Sequence, residues 1–254
     1  MQSLTSEETR LLDRARGEAR RAERTGRAVC GKCIPLSQQH LIAQAANESG
    51  IAYSVCGGWP DAERVQYCLH PEDTAPVFSG VWLHVSWNAR FSSPSHRDLL
   101  GSLMGLGMDR DLFGDLLVED GHAYVFALPE LARRLPVEWQ SAGHAALTVE
   151  EMDTPPSIQP PQGTALRMTV SSPRLDAILS DSLHLSRARS ADLIRAGHVS
   201  LNHREELRTD RILHPGDLLS VRGFGRVRID SIGEETRKGR LPVMCTLFSS
   251  KTSL

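Results

Sequence analysis

Residues 172–202 read SPRLDAILSDSLHLSRARSADLIRAGHVSLN, and this stretch decides how the C-terminal part of the chain folds. Ser172 followed by Pro173 is a helix start, with the hydroxyl as cap and proline at the first helical position. Leu175, Ile178, Leu179 and Leu183 then form a helical apolar stripe. Ser186 caps a second helix, Arg187 to Ala196, and Gly197 ends it in a left-handed conformation. At about 100° per residue, Ser190, Ala191, Leu193 and Ile194 share one arc and face the core, while Arg189 and Arg195 lie outside it. Val199 and Leu201 alternate in a short strand, and Asn202-His203 begins a turn. Pro215-Gly216-Asp217 turns the chain into Leu218–Val221. Two arginines and an aromatic residue follow on the glycine-flanked run Arg222-Gly223-Phe224-Gly225-Arg226.

Upstream, Thr154 to Gly163 holds four prolines and a glycine in ten residues. Such a run continues neither a helix nor a central strand, so residues 154–163 read as a stiff linker. Before it, Val81, Leu83, Val85 and Trp87 alternate as in a half-buried strand. Ser95 caps a helix carrying Leu99, Leu100, Leu103 and Met104. Phe113–Val118 and His122–Leu128 form a hairpin around Glu119-Asp120-Gly121. Pro129 opens a short helix to about Leu135, and His144 to Val149 is a last strand. The order βαββαβ over residues 76–153 is that of a ferredoxin-like unit. Residues 1–75 read as a small α/β domain. It has a capped helix over residues 5–25, a helix from Ser37 to Asn47 closed by Gly50, and a strand at Ile51–Cys56. The expected fold class is therefore α+β in three small units, the last spanning residues 164–254.

Composition narrows the class of partner. The chain has 254 residues and a net charge of −2, and the charge is split unevenly. Residues 1–162 hold 14 Lys+Arg against 21 Asp+Glu, a balance of −7, and residues 163–254 hold 15 against 10, a balance of +5. A basic module on an acidic body suggests polyanion binding. Only Lys32, Lys238 and Lys251 are lysines, so the positive charge is almost all guanidinium, which suits bidentate phosphate contacts. No apolar run approaches the roughly 20 residues a membrane span needs. The N-terminus lacks the apolar region of a secretory signal. An odd five cysteines argue for a reducing, cytoplasmic setting.

Arg174-Leu175-Asp176, Leu185-Ser186-Arg187, Leu193-Ile194, Gly197-His198-Val199, Leu201-Asn202 and Pro215-Gly216-Asp217 resemble the S4 RNA-binding domain (the αL-type module), block by block and in order. Further blocks resemble the YlmH family: Gly57-Gly58-Trp59-Pro60-Asp61-Ala62-Glu63-Arg64, His96 to Gly107, then Arg110 and Phe113-Gly114-Asp115, and the ending Val221 to Arg226. The likeness covers most of residues 35–230 and departs from the family at Cys30-Gly31-Lys32-Cys33-Ile34-Pro35. It implies a non-catalytic RNA-binding protein that associates with ribosomal RNA or tRNA on the large ribosomal subunit. Family members are linked to translation, to rescue of stalled peptidyl-tRNA complexes and to cell division, so rescue or division proteins join the expected partners. A monomer with no cofactor and no membrane attachment is expected.

The residues supply a mechanism for such binding. The N-terminus of the Ser186 helix offers free N–H groups and a positive dipole end, with Arg187 and Arg189 beside it. Arg195, Arg222 and Arg226 would extend this into a groove for structured RNA, read by shape and backbone. Arg174 and Asn202 complete the set, although Arg174 and Arg187 equally suit structural pairs with Asp176 or Asp217. Phe224 either stacks on a base or packs on its own hairpin. Arg97 and Arg110, near the middle unit's glycine-rich helix, would add a second contact. The rival is an RNA-modifying enzyme, a pseudouridine synthase or methyltransferase delivered by its S4 module. Against it, no strand-linked glycine fingerprint serves a methyl donor, and Gly101, Gly105 and Gly107 lie at a helix end. His96 and Asp98 lack a partnering nucleophile. A CxxC pair such as Cys30 and Cys33 supplies two of the four ligands of a structural zinc site, so buried or surface thiols are the favoured reading, with zinc a minor one. The four tryptophans read as core or domain-contact residues.

Overall fold

The structure, a computed structural model, describes residues 4–158, 162–236 and 239–249. It is a mixed α/β chain with three separate sheets, and it divides after Ile158 into two compact units. Gln159, Pro160 and Pro161 of the proline-rich linker lie outside the described residues.

The first unit begins with α1 (Ser6–Thr25), β1 (Val29–Pro35), α2 (Gln39–Glu48), β2 (Ala52–Cys56) and β3 (Arg64–His70), whose strands run in the order β1-β3-β2. Thr5 starts α1 through a reciprocal capping box: its hydroxyl accepts from Glu8 N–H at 3.2 Å and Thr5 N–H donates to the Glu8 carboxylate at 2.8 Å. Ala15, Ala19 and Ala22 are fully buried, and these small side chains let α1 lie close against its neighbours. β1 and β3 have no clean alternation for a sequence reading to find. In β3 the run from Val65 to His70 is buried on both faces. One side meets the helices. On the other the Gln66 amide is fully occupied, donating to Gly31 O and Ser79 Oγ and accepting from Ser79 N–H. Gly31 is required where it stands, because a Cβ there would sit 2.0 Å from the Tyr67 ring.

The register of β1 on β3 corrects the reading of the cysteines. Cys30 and Cys68 are direct cross-strand partners, and their sulfur atoms form a disulfide. The expectation of unpaired thiols therefore fails at these two residues, because strand pairing brings together cysteines 38 positions apart. Cys33 is instead buried as a free thiol.

The unit continues with β4 (Val81–Trp87), α3 (His96–Gly105), β5 (Phe113–Glu119), β6 (His122–Ala127), α4 (Pro129–Ala132), α5 (Leu135–Glu138), β7 (Ser141–Ala142) and β8 (Ala145–Glu151). The strands pair antiparallel in the order β5-β6-β4-β8-β7. Leu83, Val85, Ala123, Val125 and Val149 point to one face and meet Leu99, Leu103, Leu131, Leu135 and Trp139 from the helices. Ser95 caps α3 as expected, with Asp98 completing the box at 2.7–3.3 Å.

The second unit holds β9 (Thr164–Val170), α6 (Leu175–Ser182), α7 (Arg187–Arg195), β10 (Val199–Leu201), β11 (Arg204–Glu205), β12 (Leu218–Val221), β13 (Gly225–Ile232) and β14 (Leu241–Ser249). Its antiparallel sheet runs β11-β10-β12-β13-β14-β9. The two helices close over one core of Leu175, Ile178, Leu179, Leu193 and Ile194 against Val199, Leu219, Val227, Ile229, Val243 and Cys245. α6 starts two residues later than Ser172-Pro173 predicts. Residues 173–175 run extended against the segment 209–213: Leu213 N–H donates to Pro173 O (2.8 Å) and Leu175 N–H to Arg211 O (2.8 Å). Neighbouring chain thus does the work expected of a serine cap.

Candidate nucleic-acid interface

In the second unit α7 presents the arrangement that the sequence suggested. Ser186 Oγ accepts from Arg189 N–H at 3.1 Å and fixes the helix start, which leaves the remaining early N–H groups and the dipole facing outward. Ser190, Leu193 and Ile194 are buried, and Arg187, Arg189 and Arg195 are exposed. Among the described residues, no acidic side chain pairs with the guanidinium of Arg189, Arg195 or Arg222. Three arginines with open donor forks on one unit are a ready means of holding phosphates.

The other candidates divide by what they touch. Arg174 and Arg187 converge on Asp176. Arg174 is bidentate at 3.0 and 3.2 Å, and Arg187 Nη1 lies 3.3 Å from Oδ1. Asp176 is largely buried at the α6 start, so this trio ties the two helices together and leaves Arg187, with more of its side chain exposed, the freer arm. Asn202 is committed internally: its Nδ2 donates to Asp217 Oδ1 at 2.7 Å and its Oδ1 accepts from Leu218 N–H at 2.9 Å. With His203 it forms the β10–β11 turn, both residues at positive φ (48° and 66°). Phe224 packs half-buried against the core cluster of its own unit. Arg226 is half-buried on β13, paired in register with Ser220 and Phe248.

In the first unit Arg97 is exposed in the first turn of α3. Arg110 is different. Its Nη1 donates to the carbonyls of Phe113 (2.8 Å) and Gly114 (3.1 Å), and the guanidinium lies 4.1 Å from the Phe113 ring centroid. Burial, followed by the like charge of Arg64, brings its pKa down to about 10. Arg64 donates to the carbonyls of Cys33 and Arg110. Between the two sheets stands Asp115, which accepts from Trp59 Nε1 (2.9 Å), Glu63 N–H (2.9 Å) and Arg64 N–H (3.0 Å). The blocks Gly57–Arg64 and Arg110–Asp115 therefore lock the first sheet to the second. One feature escaped the sequence reading: His84, His122 and Tyr124 form a ring cluster on the sheet face away from the helices. Its signal was the second half of each alternation, the positions between Leu83 and Val85 and on either side of Ala123.

The environments of the thiols give a direct check. Burial pushes the Cys33 thiol up to about 12 and Cys245 to about 11. Since the thiolate is the nucleophile, alkylation of the native protein at mildly alkaline pH is expected at half-exposed Cys56 alone. Cys33 and Cys245 should label only in denaturant, and Cys30 and Cys68 only after reduction. Rapid native labelling of Cys33, read by peptide mass, would contradict this geometry. Among the described residues no three His, Cys, Asp or Glu side chains gather as a metal site, and no helix is long and apolar enough to cross a membrane.

Comparison with known proteins locates this architecture. The family model described as "Putative RNA-binding domain in YlmH" matches residues 75–155, the sheet from β4 to β8. The chain is also 31% identical over 207 residues to the "Ribosome-associated protein quality control protein P2" of Bacillus subtilis (strain 168), covering 80% of each chain. The chain belongs to the YlmH family. A solved structure, "Cell division protein ylmH from Streptococcus pneumoniae", matches in fold with a TM-score of 0.50 and 23% identity, over 60% of this chain and 94% of that one. Asp115 lies inside the segment that the YlmH model matches, whereas its partners Trp59, Glu63 and Arg64 and the open arginines of α7 lie outside it.

Proposed function

We propose that this YlmH-family chain is a non-catalytic RNA-binding protein whose residues 164–254 form an S4 domain. It holds structured rRNA or tRNA on the large ribosomal subunit and serves ribosome-associated quality control in the cytoplasm as a monomer. Residues 1–75 and the ferredoxin-like residues 76–153 are the body that this domain carries, with Arg97 as a further contact. The observation that carries the reading is the set of three open guanidiniums, Arg189, Arg195 and Arg222, in a unit with a charge balance of +5. Phosphates would bridge these forks and the free N–H groups of α7, so the fold of the RNA is recognised through its backbone. The name of the Bacillus subtilis relative supports the ribosomal setting.

Such binding releases counterions. With three phosphates neutralised, log affinity should fall against log salt with a slope of about −3. Fluorescence anisotropy of a labelled rRNA stem-loop across a potassium chloride series measures this slope. A flat dependence would remove the phosphate-clamp reading.

A further inference from the structure

We propose that the outer face of the middle sheet, at His84, His122 and Tyr124, is a stacking platform for unpaired nucleotides of single-stranded RNA. This rests on the RNA-binding reading above and adds a second site with a different ligand form.

The helices cover only one face of the β5-β6-β4-β8 sheet. On the other face Trp82 and Phe126 pack at 5.5 Å beneath Gly58 and Gly80. The fit is tight: a Cβ on Gly58 would sit 2.6 Å from the Phe126 ring. Two residues further along the same strands that cover stops. His84, Tyr124 and His122 follow as a triangle of half-buried rings, with centroids 5.4 Å (His84–His122), 5.6 Å (His84–Tyr124) and 5.1 Å (His122–Tyr124) apart. His122 is anchored at its ring edge, with Nδ1 3.2 Å from Asp120 O and Nε2 3.1 Å from Glu119, and a neutral imidazole donates to one of these two acceptors. Rings fixed before the ligand arrives lose little entropy on binding.

The placement matches the chemistry of an exposed base. Every base has a π-face, and aromatic side chains on neighbouring central strands of a four-stranded sheet can each take one. The turn after β4 carries a further exposed ring. Ala89 abuts Gly121 at the His122 end of the sheet, and Phe91 then stands 86% exposed beside exposed Arg90. The turn itself is fixed by Asn88, which accepts from Arg90 and Phe91 N–H at 3.1 Å each. The charge on this face argues for bases rather than phosphates. Glu119 sits on the His122 ring, and Glu150 is in register opposite His84. A phosphate backbone pressed on this surface would be repelled, so bases face it with their phosphates turned outward, affinity comes from stacking, and it falls less steeply with salt than at the arginines of α7.

The test uses the full chain, a labelled unstructured oligouridine, and a duplex of the same length. Ultraviolet cross-linking with peptide mass mapping should place single-strand cross-links within residues 81–91 and 122–127. Phe91→Ala, which removes a side chain that packs on nothing buried, and the pair His84→Ala/Tyr124→Ala should each weaken single-strand binding roughly tenfold and leave duplex binding unchanged. Cross-links confined to residues 164–249, with Phe91→Ala binding like wild type, overturn this proposal and leave the C-terminal reading standing. Failure to bind either RNA overturns both.

Discussion

Asp115→Ala should destabilise the first unit by about 3–5 kcal/mol, the largest stability loss expected of any single substitution at a polar residue here. The carboxylate is nearly buried and accepts three hydrogen bonds, from Trp59 Nε1 and from Glu63 and Arg64 N–H. Removing it leaves those donors unsatisfied between two sheets. It also removes the negative charge facing the two partly buried guanidiniums of Arg64 and Arg110, both already lowered in pKa by burial. Asp115→Asn keeps one acceptor and the volume, so it should cost less than the alanine. Urea unfolding followed by circular dichroism reads the loss. A cost below about 1 kcal/mol for the alanine would show that the sheets are joined by apolar packing alone.

Arg189→Glu/Arg195→Glu should cut affinity for structured RNA about a hundredfold while leaving stability within about 0.5 kcal/mol. Each reversal replaces a charge-assisted phosphate contact with repulsion. The fold is spared for identifiable reasons: both side chains are exposed and neither has an acidic partner to lose among the described residues. Glutamate at 189, in the first turn of α7, gains from the helix dipole about what glutamate at 195 in the last turn loses. Arg187 is the wrong choice for this experiment, because glutamate there would face Asp176 and loosen the start of α6. Unchanged affinity in the double variant, measured by anisotropy, would move the RNA site off α7.

Much of this fold was legible in local signals. Thr5 with Glu8, Ser95 with Asp98, and Ser186 all cap the helices that they announce, because a side-chain cap needs only its own neighbours. In the middle sheet, β4 was readable from the apolar spacing of Val81, Leu83 and Val85, and the β5–β6 hairpin from its turn at Glu119-Asp120-Gly121. Where the chain relies on distant partners the signal was weak. β3 is buried on both faces and shows no period of two, and β13 breaks its alternation at the bulge between Ile229 and Ser231. The start of α6 moved because residues 209–213 supply the partners that Ser172 was expected to replace. The disulfide between Cys30 and Cys68 depends wholly on strand register. At the candidate interface the charge of the α7 arginines could be read, but their division of labour could not. Only the position of Asp176 separates paired Arg174 and Arg187 from open Arg189 and Arg195.

The most direct test of the central claim is sedimentation of the full chain with separated ribosomal subunits through a sucrose gradient, wild type beside Arg189→Glu/Arg195→Glu. The account predicts that wild type travels with the large subunit and that the double variant stays at the top of the gradient. Wild type remaining at the top, or the variant still travelling with the large subunit, would contradict it.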